Sequence, residues 1–218
     1  MKKITIAILL SIFVTSYSLA ADTNVGIRLS YGNFDATGST TGVDNLKVSH
    51  SDDVNIPYGS VFLERQLNFS NFDLGFGLDY MPFSAELDAK TGTATKATVD
   101  IKDQWTVYIQ PTAKLDGGAS VYAKLGYAYS KLDITGIASV QATTGSSDLK
   151  NTTTSISKTL EGPMVGIGFQ KDFSNGYFMR GEVTYTNFDD VSATMSNSRK
   201  VTADSDLTSG HISIGRKF

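Results

Sequence analysis

The chain has 218 residues, a formal net charge of −3 and no cysteine, a length that fits one domain. Its acidic balance excludes nucleic acid as a partner, because phosphate binding needs a basic surface. The lack of cysteine excludes disulfide staples, thiolate metal sites and thiol catalysis.

Lys2 and Lys3, the apolar run from Ile4 to Val14 and the small residues Ser18-Leu19-Ala20 have the layout of a secretory signal peptide. Residues 1–20 are therefore expected to be removed by cleavage after Ala20, leaving residues 21–218 as the mature domain. The apolar run is too short to span a bilayer comfortably, and Ala21, where a lipid-modified chain would carry Cys, excludes an N-terminal lipid anchor. The mature chain keeps 17 basic and 22 acidic residues. No later stretch reaches the roughly 18 apolar residues of a membrane-crossing helix, whereas membrane strands carry a weaker, alternating signal.

That alternation runs through the mature chain. Val25, Ile27, Leu29 and Tyr31 share one face of the first segment, with Gly26, Arg28, Ser30 and Gly32 on the other. A polar stretch, Asp35 to Asn55, follows. The second segment sets Val61, Leu63 and Leu67 against Ser60, Glu64 and Gln66, with Phe62 and Arg65 breaking the pattern. After a short turn, Phe72, Leu74, Phe76, Leu78 and Tyr80 alternate with Asp73, Gly75, Gly77, Asp79 and Met81. A Thr-rich loop from Ser84 to Asp100 precedes a fourth segment, in which Trp105, Val107 and Ile109 oppose Thr106, Tyr108 and Gln110. Asp116-Gly117-Gly118 supply the positive-φ residues of a tight hairpin. Val121, Ala123, Leu125 and Tyr127 then alternate with Tyr122, Lys124, Gly126 and Ala128. The most polar loop, Thr135 to Thr159, leads to Val165, Ile167 and Phe169. Ser174-Asn175-Gly176 predicts a type I′ hairpin turn. Met179, Gly181, Val183 and Tyr185 oppose Arg180, Glu182 and Thr184, a fourth polar loop spans Asp189 to Asp204, and the last segment ends on Ile212, Ile214 and Phe218.

Eight strands, three short turns and four long loops in strict alternation are the anatomy of an eight-stranded antiparallel up-and-down transmembrane β-barrel. A soluble sandwich also alternates, but Greek-key connections do not give this turn–loop asymmetry. Arg28, Glu64, Asp73, Asp79, Lys114, Lys124, Arg180 and Glu182 fall mid-strand on the non-apolar face. In a small lipid-spanning barrel such residues fill the lumen and neutralise one another, so Arg28, Glu64, Asp79, Lys124, Arg180 and Glu182 are read as an interior charge network. Tyr31, Phe72, Tyr80, Trp105, Tyr129, Tyr177 and Tyr185 lie near segment ends, where a barrel crosses the membrane–water interfaces.

The terminal run Gly210-His211-Ile212-Ser213-Ile214-Gly215-Arg216-Lys217-Phe218 resembles the C-terminal assembly signal of Gram-negative outer-membrane proteins. Ile212, Ile214 and Phe218 match that signal, and Arg216 stands where an apolar residue is commoner. With Tyr122-Ala123-Lys124-Leu125-Gly126-Tyr127 and Arg180-Gly181-Glu182-Val183-Thr184-Tyr185, the chain resembles the opacity-type, porin-like family of small outer-membrane barrels. The resemblance implies residence in the outer membrane among its lipids and lipopolysaccharide, and recognition by the barrel-assembly machinery. Members serve as adhesins, envelope stabilisers or narrow channels, so fold alone does not decide the role.

No catalytic, cofactor or metal constellation emerges. His50 lies beside Ser49, Ser51, Asp52 and Asp53, and His211 beside Ser209 and Ser213, but a Ser–His–acid relay is defined by geometry and not by neighbours in sequence. Gly75-Phe76-Gly77 and Gly166-Ile167-Gly168 precede no helix, which excludes a phosphate cradle and suggests room-making in a narrow lumen. Asp44, Asp52, Asp53, Asp189 and Asp190 lack calcium-site spacing. The role expected is structural or surface-interactive, with a narrow channel or a conduit for small hydrophobic molecules as the alternative. The sequence names no external ligand.

Overall fold

The computed structural model describes residues 21–41, 47–82, 85–91, 95–138, 153–194 and 200–218. The expected signal peptide and the tips of the four long connections lie outside them. The described residues form nine strands: β1 (Ala21–Thr41), β2 (Lys47–Asn68), β3 (Phe72–Met81), β4 (Ala85–Thr91), β5 (Thr95–Lys114), β6 (Ala119–Ala138), β7 (Thr153–Asp172), β8 (Tyr177–Thr194) and β9 (Lys200–Lys217). β3 pairs with Gln104–Ala113 of β5 and β4 with Thr95–Ile101, so the two form one interrupted stave. The result is a closed, all-antiparallel barrel of eight staves, sealed by the β1–β9 and β3–β5 ladders. Closure leaves no edge in the lipid-spanning half, as a bilayer without hydrogen-bonding partners requires.

The alternation of faces follows the sequence, with one refinement. Phe62 and Arg65 do not break the second segment: Phe62 points inward and is buried, and Arg65 points outward near the short turns. Both keep strict period-two parity. Their chemistry, and not their register, is what departs from the pattern.

Two expectations are corrected. The long polar stretches are largely strand: β1 and β2 continue pairing to Thr41↔Lys47, and β6 and β7 to Ala138↔Thr153. Beyond the bilayer the outward face no longer has to be apolar, so the strong contrast between faces fades while the backbone ladder goes on. The Ser174–Gly176 turn is not type I′, which needs positive φ at both central residues. Only Gly176 has positive φ there (81°), and Gly176 N–H donates to Phe173 O while Phe173 N–H donates to Tyr177 O, a three-residue hairpin loop.

Away from the short turns the barrel opens into two sheets. Among the described residues no ladder joins β2 to β3 or β4 above Val61↔Tyr80, and none joins β7 to β8 above Met164↔Thr186. β2-β1-β9-β8 therefore faces β4-β5-β6-β7. Phe34, Ile56, Phe188 and Leu207 from the first sheet pack against Ile101, Ala128 and Leu160 of the second, with Met81 at the tip of β3. A bulge between Lys102 and Trp105, with Asp103 at φ 51°, shifts parity so that both Ile101 and Thr106 point inward. The expected eight-stranded barrel is closed in the half near the short turns. The far half instead has the packing logic of a β-sandwich.

Candidate functional site

The lumen of the closed half is built from the inward residues of the alternating strands. At its base a vestibule of about 330 Å³ is lined by Asp22, Asp73, Lys114, Asp172 and Lys217, among others. Lys114 Nζ lies 2.7 Å from Asp73, and Lys217 Nζ lies 3.0 Å from Asp172. Above it the six residues read as a charge network are brought together. Arg180 donates to both oxygens of Glu64 and, through Nε, to Gln170 (2.6 Å). Lys124 Nζ reaches Glu182 Oε2 at 2.5 Å, and Arg28 Nη1 lies 2.8 Å from Asp79 and 3.4 Å from Glu182. Paired in this way, the charges avoid the cost of an isolated ion in a low-dielectric interior.

The aromatic half of this site was not legible from charge alone. Four inward rings lie on four inward glycines that are their direct cross-strand partners: Phe62 on Gly26, Tyr108 on Gly77, Tyr122 on Gly168 and Phe178 on Gly215. A Cβ at any of these glycines would collide with the ring opposite. Flattened against the wall, the rings flank the cations. Arg180 stands 4.7 Å from the Phe178 centroid, Lys124 4.4 Å from Tyr108, and Arg28 5.6 Å from Phe62. Tyr108 and Tyr122 also donate to Glu64 and Glu182. A glycine opposite an aromatic on the polar face was the available signal. Of the four glycines, the room-making expected from the sequence covers Gly77 and Gly168 but not Gly26 or Gly215, and it does not say what fills the room.

Higher up, His211 is buried between two hydroxyls, with Ser30 Oγ 2.7 Å from Nδ1 and Thr184 Oγ1 2.8 Å from Nε2. Both ring nitrogens are thus occupied by alcohols and neither by a carboxylate, so the relay of a hydrolase triad is not assembled. A cavity of about 30 Å³, bordered by Arg28, Ser60 and His211 below and Met81 and Leu207 above, has room for one or two waters. The apolar layer of the two-sheet half then closes the lumen. His50 pairs through its backbone with Gly38, its side chain and Asp44 lying outside the described residues. Asp53, Asp189 and Asp190 sit at the far rim, and no group of three metal-ligating side chains occurs among the described residues.

The outer wall is apolar, from Ile27 and Leu29 to Ile167 and Ile212, all exposed. On the outward face of the last strand, Ile212, Ile214 and Phe218 are exposed, and the Arg216 guanidinium lies over the rings of Phe218 (5.0 Å) and Tyr177 (5.6 Å). Phe218 is tied to Thr23 by two backbone hydrogen bonds at the closing seam.

The profile of the outer membrane protein beta-barrel domain family matches residues 5–215. No curated protein sequence matches the chain. Among solved structures, OprG of Pseudomonas aeruginosa aligns at 17% identity and a TM-score of 0.50, covering 88% of this chain and 96% of its own. Ail, the attachment invasion locus protein of Yersinia pestis, aligns at 14% and 0.45, covering 90% and 99%. The outer membrane protease OmpT of Escherichia coli aligns at 9% and 0.45, covering 94% and 100%. Identities this low speak to the fold alone.

Proposed function

The chain belongs to the outer membrane protein β-barrel domain family and resides in the outer membrane, and from that premise we propose that it is a structural and surface-interaction component. Its barrel serves as a filled pedestal for the long loops. The observation that carries this reading is the double filling of the lumen. A paired charge network occupies the membrane half, and an apolar layer from Phe34, Ile56, Leu160, Phe188 and Leu207 occupies the outer half. With eight staves the interior is just wide enough for such side chains. The hydroxyl-flanked, buried His211 supports a non-enzymatic role, and the acidic chain supports one without nucleic acid. Exposure of Ile212, Ile214 and Phe218 along one face supports their reading by the barrel-assembly machinery.

Two assays test this proposal together. In planar bilayers the purified barrel is expected to give no steady ion conductance. Expressed in a non-adherent host, it should confer surface attachment or cell–cell aggregation that is lost when residues 139–152 are replaced by a short Gly-Ser turn. Steady conductance with inert loops would overturn it.

A second reading, a conduit for small apolar molecules, draws on the edge of β2 from Ile56 to Ser60, which among the described residues has no ladder with β3 or β4. Pro57 on that edge has no donor to lose. Locking the seam with a disulfide between Ser60→Cys and Met81→Cys would abolish uptake of a small apolar solute if this reading holds. Unchanged uptake would exclude that route.

A further inference from the structure

On the membrane-facing wall, near the short turns, lies a concavity of about 870 Å³ whose lining is almost wholly apolar. Phe72 of β3, Ala113 of β5, Ala123 of β6, Ile167 and Phe169 of β7 and Gly181 of β8 are among its lining residues. The register explains the shape. Phe72, Ala113, Val121, Phe169 and Gly181 follow one another as direct partners across five staves, so the small Ala113 and Gly181 leave the row low beside its larger residues. Gly181 adds depth: a Cβ there would meet no atom within 4 Å, so its missing side chain is not demanded by packing inside the barrel.

We propose that this concavity is a binding site for an acyl chain of a phospholipid of the periplasmic leaflet, with the lipid phosphate held by Lys171. The short turns mark the periplasmic end of such a barrel, where the leaflet is phospholipid and not lipopolysaccharide. Lys171 points outward two residues beyond Phe169 on the same strand and pairs with Ala119 and Met179, so it stands at the mouth of the groove among apolar neighbours. One of its three donors goes to Gly117 O at 2.5 Å, which fixes the ammonium at the level of the turn and leaves the others for a ligand. The outward ionic residues of the strands at this end, Arg65, Lys171 and Arg216, are basic, with Asp116 exposed in the adjoining turn; at the far end Asp35, Asp53 and Asp206 face outward together with Lys102 and Lys131, which pair with Asp133 and Asp103. A basic residue beside an apolar slot suits an anionic headgroup on a hydrocarbon tail.

The test is native mass spectrometry of the full mature barrel, released from detergent micelles doped with phosphatidylglycerol. The wild type is expected to retain one lipid. Lys171→Gln should lower occupancy by about fivefold, the worth of one basic residue at a membrane surface. Gly181→Leu fills the groove and should lower it at least as much. Gly210→Leu is the control: it also points into open space, but it lies outside the groove. A heat-shifted gel band for each variant shows that the barrel is intact. Unchanged occupancy in Gly181→Leu or in Lys171→Gln overturns the site. So does a dimer mass that Gly181→Leu dissolves, since the occupant would then be a second copy of the chain.

Discussion

Arg180 of β8 reaches across the lumen to Glu64 of β2, donating from Nη1 to Oε2 at 3.0 Å and from Nη2 to Oε1 at 2.7 Å, with both side chains fully buried. The two residues lie 116 positions apart, on staves that are not neighbours in the wall. This bidentate pair ties opposite walls of the barrel together.

Removing one partner leaves the other ion buried and unpaired. Glu64→Ala or Arg180→Ala is therefore expected to cost about 3–5 kcal/mol, whereas the double replacement Glu64→Leu, Arg180→Met should cost far less or stabilise. Urea unfolding in lipid vesicles measures all three. Additive losses in the double variant would show that the pair does not act as a unit.

The ring-on-glycine contacts make a second prediction. Gly168→Ala places a methyl where the Tyr122 ring lies, and Tyr122 holds Glu182 at 2.8 Å. The variant should lose about 1–3 kcal/mol, as overpacked sites do. Gly181→Ala, which meets open space, should lose much less by the same urea assay.

Trp105, the only tryptophan, stacks on Tyr80 at 4.0 Å on the outward face, next to the bulge that begins the two-sheet half. It should mark the outer membrane–water boundary. Phospholipids brominated near the headgroup should quench its emission more than lipids brominated near the chain ends. The reverse order would move the bilayer down the barrel.

The rim carries two carboxyls of opposite behaviour. A hydrogen bond with Asp204, reinforced by its charge, holds the Asp190 carboxyl above its ordinary 3.8. The hydrogen bond from Lys131 at 2.8 Å holds Asp103 below the same value. The Asp190–Asp204 contact therefore stabilises fully below pH 3.8 and weakens as pH rises through the raised value. The Asp103–Lys131 contact stabilises above pH 3.8 and is lost as pH falls through the lowered one. Carboxyl NMR titration in micelles reads both. Asp204→Ala should lower the Asp190 value toward its ordinary one, and Lys131→Met should raise that of Asp103 toward its own.

The number of staves, their direction and the parity of most lipid-facing residues were legible in the amino-acid order, the exception being the second strand, where Phe62 and Arg65 read as breaks. A strand crossing a bilayer must be apolar on one face, and that constraint is written locally at every second position. Arg28, Glu64, Lys124 and Arg180 could be assigned to the lumen for the same reason. Who pairs with whom could not: Glu64 with Arg180 and Lys124 with Glu182 depend on the stagger of distant staves, which no local pattern records. The rings of Tyr108 and Tyr122 were hidden likewise, since a glycine shows what it lacks but not what will lie on it. Outside the membrane the polar stretches gave little sign that strands continue, because an outward face in water need not be apolar while backbone pairing persists. The split into two sheets over an apolar layer was decided only by tertiary structure. Phe34, Ile56, Leu160 and Leu207 come from four separate staves, and they form a core only when the two sheets face each other.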